Sequence, residues 1–105
     1  MSKVINISDL LSSAKPSIQI GQKVYPVNDG VDVVLAFEEQ AGKGIRGLLG
    51  ALESALGADA YAEIGVESYP IANIQVLATA VLAAQMGISY EDAAARFRRQ
   101  DADGN

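Results

Sequence analysis

The sequence predicts a mainly α-helical fold, a small bundle of about four to five helices with a minor β component, an N-terminal β-hairpin. Three observations support this prediction. Apolar residues recur at helical spacing across residues 31–97, and glycines or a proline stand where the periodic stretches begin or end. One short stretch, residues 18–27, instead shows two strand-like runs around a central glycine.

The domain organisation follows from where this periodicity starts and stops. The chain of 105 residues has the size of one domain. Residues 1–16 are expected to form a flexible N-terminal arm, in which Ser8 starts a short turn and Leu10 and Leu11 supply apolar contacts. Residues 17–99 are predicted to form a single helical domain that begins with the hairpin, and residues 100–105 a disordered tail.

The hairpin prediction depends on the residues at its turn and its end. Gly21 stands at the first central position, where a two-residue turn of type II′ needs a positive φ angle. Pro26 cannot donate to a strand ladder, so the second strand should end there. Because an isolated hairpin is barely stable in water, it must pack on helices or pair with another chain.

Residues 31–41 fit two kinds of secondary structure. A strand is suggested by the alternation of Val31, Val33, Leu35 and Phe37. A helical face is formed by Val31, Val34, Leu35 and Ala41. The capping signal in residues 28–30 and the polar run that follows Phe37 favour the helix.

Two further helices are predicted by one leucine-rich stripe and by the glycine after it. The stripe falls at helical spacing and consists of Ile45, Leu48, Leu49, Leu52 and Leu56. Gly57 stands where a helix-ending glycine belongs. A short helix over residues 58–64 should follow, with Tyr61 and Ile64 pointing inward.

The segment from Pro70 to Met86 predicts a helix that is apolar on two sides. One face contains Ile71, Ile74, Leu77, Val81 and Leu82. The opposite face consists mostly of small residues, Ala72, Val76, Ala80, Ala83 and Ala84. Two apolar faces imply neighbours on both sides. A membrane span is not expected, because polar residues are scattered around the helix and no lysine or arginine flanks it closely.

The last predicted helix begins with a capping box. Ser89 is followed three residues later by Asp92, which stands in for the usual glutamate. An apolar face follows, made of Tyr90, Ala93, Ala94 and Phe97. A basic cluster near the predicted helix end, Arg96, Arg98 and Arg99, is interpreted as complementing the helix dipole.

The amino-acid composition argues against an enzymatic function. Histidine and cysteine are both absent from the chain, so the commonest general acid–base group and the thiolate nucleophile and zinc ligand are missing. We therefore expect no enzymatic activity, no cofactor and no metal site. The net charge of −5 argues against nucleic-acid binding, which relies on lysine and arginine to neutralise phosphates. The G-x-G-x-x-G match at residues 42–47 is interpreted as a connection between helices, since no strand precedes it.

Five segments in a fixed order carry a family resemblance: residues 18–27, 34–39, 49–57, 60–64 and 89–97. In this order they resemble the small tail assembly chaperones of long-tailed bacteriophages. The resemblance covers most of residues 18–99, and its motifs are patterns of ordinary residues rather than a catalytic signature.

The resemblance implies a mostly helical, non-enzymatic protein of the host cytoplasm. Such a protein binds the tape-measure protein, and tail-tube subunits as a further client, before the tail assembles. Neither nucleic acid nor a membrane is expected as a partner, whereas a homo-oligomer is a further expectation. The alternative function is a structural one, as a minor tail or connector component of the virion.

A chaperone for long apolar helices needs an exposed apolar face. The leucine stripe and the alanine-rich face are the candidate surfaces, and the partner-binding residues predicted from them are Ile45, Leu48, Leu49, Leu52, Leu56, Ala72, Val76, Ala80 and Ala83. The favoured alternative is that both surfaces pack against each other in the core, and burial in a homo-oligomer is the other alternative to binding a client.

Overall fold

The computed structural model describes residues 4–11 and 15–103. In this part of the chain two strands precede five α-helices, and single 3₁₀ turns lie at Ser8–Leu10 and Val66–Ser68. The elements are β1, Ser17–Ile20; β2, Lys23–Pro26; α1, Val31–Ala41; α2, Ile45–Leu56; α3, Ala58–Ile64; α4, Ile71–Met86; and α5, Tyr90–Asp103. The predicted fold class, a small helical bundle with an N-terminal hairpin, is confirmed.

The hairpin forms with the predicted turn and the predicted end. β1 and β2 pair antiparallel from Ser17 opposite Pro26 to Ile20 opposite Lys23, and Gly21 adopts a φ of 63° in the turn. The cross-strand pair Ile18 and Tyr25 is buried. Because β1 packs against α4, the hairpin obtains from the helices the support that an isolated hairpin lacks.

Residues 31–41 form a helix, as the capping signal favoured, but its buried face differs from the predicted one. Phe37 is buried and Val33 packs against the core, whereas Val31 and Leu35 are 74% and 60% exposed. The difference arises because α2 packs against the side of α1 that carries Val33 and Phe37. Phe37 alone has the ring volume that fills this contact.

The contact between α1 and α2 depends on Gly47. A Cβ atom at this position would lie 2.3 Å from the carbonyl oxygen of Gln40, so the two helices meet here with no room for a side chain. Residues 42–47 therefore connect and begin packed helices, as predicted, rather than a phosphate-binding loop.

The C-terminal half of α4 lies at the centre of the core. Val81, Leu82 and Ala83 are all buried there, and α1, α2, α5 and β1 contact this helix. The Gln85 amide nitrogen donates to the carbonyl oxygen of Asn28 at 3.0 Å, which ties α4 to the segment between the hairpin and α1. Two-sided burial, predicted from the apolar faces, thus holds for this half of the helix.

The helix α5 begins as predicted but ends later. The Ser89 hydroxyl oxygen accepts a hydrogen bond from the Asp92 backbone N–H at 3.1 Å. The helix then continues through Asp103, so residues 100–103 of the predicted disordered tail are helical, and residues 104–105 lie outside the described residues. Neither proline nor glycine occurs before Gly104 to stop it. The arginine cluster consequently lies before the last turn, so its predicted dipole role is wrong.

The predicted N-terminal arm is described at residues 4–11 and 15–16. Its 3₁₀ turn spans Ser8–Leu10 with Ile7 at the N-cap position, so Ser8 is not the cap, and the Asn6 side-chain oxygen accepts the Ser8 N–H at 3.0 Å. Leu10 and Leu11 are 80% and 64% exposed. The apolar contacts expected of these two residues are therefore largely missing among the residues that the structure describes.

Candidate functional site

The clearest candidate site is a groove of about 340 Å³ where α4 and α5 meet, which we call the α4–α5 groove. The end of α1 and the first turn of α2 complete its sides. The lining residues are Ala41, Leu48, Ala72, Gln75, Val76, Ala78, Thr79, Tyr90, Ala94 and Phe97. Its volume falls near the lower end of the roughly 300–1,000 Å³ typical of ligand pockets.

The groove exists because the chain turns sharply after α4. Gly87 takes the left-handed conformation, with a φ of 66°, and ends the helix. The first part of α5 then runs at 115° to α4. Ala93 is fully buried and anchors α5, while Tyr90, Ala94 and Phe97, at i, i+4 and i+7, share the groove face.

Small residues make the floor of the groove and larger ones its rim. Ala78 and Thr79 are buried, whereas Val76 and Tyr90 are 53% and 42% exposed. The Thr79 hydroxyl already donates to the Gln75 carbonyl oxygen at 2.7 Å, so it needs no partner from a bound molecule. The arrangement favours the burial of apolar side chains from another segment.

The structure divides the predicted partner-binding residues into four groups. The α4–α5 groove brings together Leu48, Ala72 and Val76. Ile45, which begins α2 one turn before Leu48, is 40% exposed. The next two, Leu49 and Ala80, are half-buried against the core. Fully in the core are Leu52, Leu56 and Ala83.

The buried group requires a correction to the predicted surface. A side chain in the core contacts a partner only if the domain opens, so Leu52, Leu56 and Ala83 are structural residues. For them the alternative interpretation, packing of the stripe and the helix within the core, is the right one. The physical reason is that α2 and α4 contact each other and all three side chains belong to the same buried cluster.

Sequence reasoning missed the contribution of α5 to the site. The apolar pattern places Tyr90, Ala94 and Phe97 on one face of a helix, but it does not assign that face to a partner surface. The signal that could have found them was the pairing of Gly87 with the Ser89 cap, which predicts a short, sharp connection between two apolar helices. Spacing alone does not give the direction of that turn.

Charged groups with shifted pKa values lie away from the groove. Lys23 on the hairpin donates to Glu63 on α3, and this hydrogen bond raises the pKa of Lys23 and lowers that of Glu63. Burial raises the pKa of the Tyr25 and Tyr61 phenols. The Tyr61 hydroxyl also donates to a Glu67 carboxylate oxygen at 3.1 Å. These contacts fasten the hairpin and α3 in place.

Within the described residues no group of three or more acidic side chains is placed to hold a metal ion. The acidic pairs Glu38–Glu39 and Glu91–Asp92 are exposed on their helices. In the same part of the chain, no single helix has both the length and the apolar character to cross a membrane. Helix α4 and residues 90–97 of α5 meet that test only jointly, across their 115° bend.

Comparison of the chain with protein-family models, with curated proteins and with solved structures finds no match in any of the three.

Proposed function

We propose that the chain is a non-enzymatic tail assembly chaperone of a long-tailed phage, acting in the host cytoplasm. In this proposal it binds apolar helical segments of the tape-measure protein, with tail-tube subunits as a further client. The observation that carries the proposal is the α4–α5 groove, which is open to solvent in the folded chain and lined by apolar side chains together with polar groups. The order of the hairpin and helices, which resembles that family, gives the client class.

The client segment that fits this groove is an amphipathic helix. The exposed rim residues, Val76 and Tyr90, flank a floor of alanine and threonine, so apolar side chains at i, i+3 and i+7 of a client helix would insert between them. The Thr79 hydroxyl is bonded internally, but the side chains of Gln75 and Tyr90 also line the groove and can bond polar groups of the client. Affinity would then come from apolar area together with these hydrogen bonds.

The net charge of −5 supports the same proposal. A protein that shields long apolar segments must itself remain soluble, and net charge away from zero opposes non-specific association. The acidic residues Glu91 and Asp92 lie exposed at the start of α5, beside the groove residue Tyr90.

Co-expression with the tape-measure protein of the same phage tests this function. The wild-type chain should keep the client in the soluble fraction and co-elute with it in size-exclusion chromatography. Val76→Glu, which places a charge on the groove rim, should reduce the soluble complex. Leu35→Glu is the matched control, because Leu35 is 60% exposed on α1 and does not line the groove.

Two results would contradict the proposal. One is the absence of a soluble complex in any stoichiometry with the wild-type chain. The other is equal loss of the complex with Val76→Glu and Leu35→Glu while both variants keep wild-type helix content by circular dichroism.

The second candidate function is a structural one, as a minor tail or connector component. The observation that favours it is the two-stranded sheet, in which the described residues leave the outer edge of each strand without a neighbouring strand. Such edges are suited to pairing between subunits. Mass spectrometry of purified mature particles separates the two functions, because a chaperone leaves the tail and a structural component stays.

A further inference from the structure

The N-terminal arm carries an apolar face that is largely exposed in the part of the chain that the structure describes. Its 3₁₀ turn, Ser8–Leu10, is flanked by Ile7 and Leu11, and the Leu11 N–H donates to the Ile7 carbonyl oxygen at 3.2 Å, as in an α-helix. This spacing places Ile7, Leu10 and Leu11 on one side, at i, i+3 and i+4. Their side chains are 49%, 80% and 64% exposed.

This face and the α4–α5 groove can pair through their apolar side chains. The groove between the two helices exposes apolar side chains beside polar groups, and the arm offers branched aliphatic side chains on a helical turn. Val4, Ile7 and Leu11 fall at i, i+3 and i+7, so continuation of the turn toward Val4 would extend the same face. When the two exposed apolar surfaces meet, part of the apolar area of each is removed from contact with water, which favours docking.

The arm does not fill the groove of its own chain. Both features are described in the same structure, and there the arm leucines are largely exposed while the groove rim residue Val76 is 53% exposed. In this conformation the groove is open to an arm from another molecule. We infer that the arm turn of a second copy of the chain docks in the α4–α5 groove, so that each subunit completes the site of its partner and a client helix must displace this arm to bind there.

Electrostatics gives this docking a distinctive dependence on salt. The net charge of −5 on each copy opposes association, whereas the arm turn contributes a single acidic residue, Asp9. Added salt screens the repulsion between the copies and leaves the apolar contact intact. Self-association should therefore strengthen as salt concentration rises, the opposite of what an interface of ion pairs would show.

Sedimentation equilibrium of the full chain over a wide concentration range tests the inference. The wild type should form a dimer. Leu10→Glu on the arm and Val76→Glu in the groove should each raise the dimer dissociation constant by roughly tenfold or more. Leu35→Glu, which adds the same charge at an exposed leucine on α1, should leave it unchanged.

A mixture of the two defective variants gives the sharpest readout. Leu10→Glu keeps an intact groove, and Val76→Glu keeps an intact arm, so together they can form one native arm–groove contact. The mixture should dimerise more strongly than either variant alone. Because a merely unfolded variant could not restore its partner, this result is specific to docking. Val76→Ser replaces Val76→Glu if the charge lowers helix content.

Three outcomes would overturn the inference: a wild-type chain that is monomeric at every concentration, a dimer weakened equally by Leu35→Glu, and a mixture that associates no better than its components. The inference does not require the proposed client. A monomeric chain that still keeps the tape-measure protein soluble would remove self-docking alone, and a dimer that binds no client would remove only the proposed function.

Discussion

The two halves of α4 are similar in composition but differ in how much of their surface is covered. Both halves are uncharged and rich in aliphatic residues and alanine. The first half buries Ile74 on one face but leaves Ile71 and Val76 64% and 53% exposed, whereas in the second half Val81 and Leu82 are almost completely buried. Apolar composition therefore identifies α4 as a helix with neighbours but does not say where along its length those neighbours lie.

The difference comes from what lies beside each half. In the second half the Gln85 amide nitrogen donates to the carbonyl oxygen of Asn28, which ties this end of α4 to the segment before α1. In the first half Ala72 and Val76 line the α4–α5 groove, across which α5 runs at 115° to α4. One helix thus contributes to the core along its length and lines an open groove along its first half.

A matched pair of valine substitutions on α4 gives the largest expected effect. Val81→Ala removes fully buried methyl groups and leaves a cavity, so it should lower the free energy of unfolding by about 2–3 kcal/mol. Val76→Ala removes the same atoms from an exposed site. It should change stability by less than about 0.5 kcal/mol, since alanine also has the better helix propensity.

Urea unfolding followed by circular dichroism measures both values. Similar losses of unfolding free energy for the two variants would mean that Val76 is covered in solution. The two halves of α4 would then not differ in burial. If the losses became similar only at high protein concentration, the cover would come from another subunit, and the arm of a second copy is the segment inferred to supply it.

Much of the fold was predictable because it depends on local signals. The ends of α2 and α4 follow from Gly57 and Gly87, and the hairpin follows from Gly21 and Pro26. Each is a backbone restriction that acts within a few residues, so the sequence alone states it.

The buried faces were less predictable, because they depend on partners that are distant in sequence. In α1 the same eleven residues support several apolar faces, and only the approach of α2 selects the one with Phe37. The groove has the same origin, since Leu48 and Val76 meet α5 residues only through the turn at Gly87. Three of the predicted partner residues lay in the groove, and the α5 side of the site was missed.

A second matched pair compares two glycines of α2, one packed against α1 and one facing open space. The expected changes in stability are smaller than for the valine pair. An alanine Cβ at Gly47 would lie 2.3 Å from the Gln40 carbonyl oxygen, whereas a Cβ at Gly50 would meet nothing within 4 Å. Overpacking at Gly47 outweighs the gain in helix propensity, so Gly47→Ala should destabilise by about 1 kcal/mol. Gly50→Ala should stabilise by about 0.5–1 kcal/mol.

Thermal unfolding of the two variants distinguishes these cases, because the shifts in melting temperature should have opposite signs. Stabilisation by Gly47→Ala would show that α1 and α2 separate by enough to admit a methyl group. The explanation that close packing of α2 selects the buried face of α1 would then be wrong.

The smallest expected effect is the pH dependence of the exposed Lys23–Glu63 ion pair, which links the hairpin to α3. The hydrogen bond from Lys23 holds the pKa of Glu63 below its ordinary value of 4.5. A lowered pKa in the folded state means that the stabilisation is present above pH 4.5 and is lost as the pH falls through the folded value.

Glu63→Gln should therefore be slightly less stable than the wild type at neutral pH, and the two urea midpoints should converge in acid. In a Lys23→Met background the same substitution should have a smaller pH-dependent effect, because the main partner is gone and only the weaker contribution of Tyr25 to the lowered pKa remains. If Glu63→Gln changed stability equally at every pH, the contact would stabilise the hairpin end through packing rather than charge, and the polar link would contribute nothing of its own.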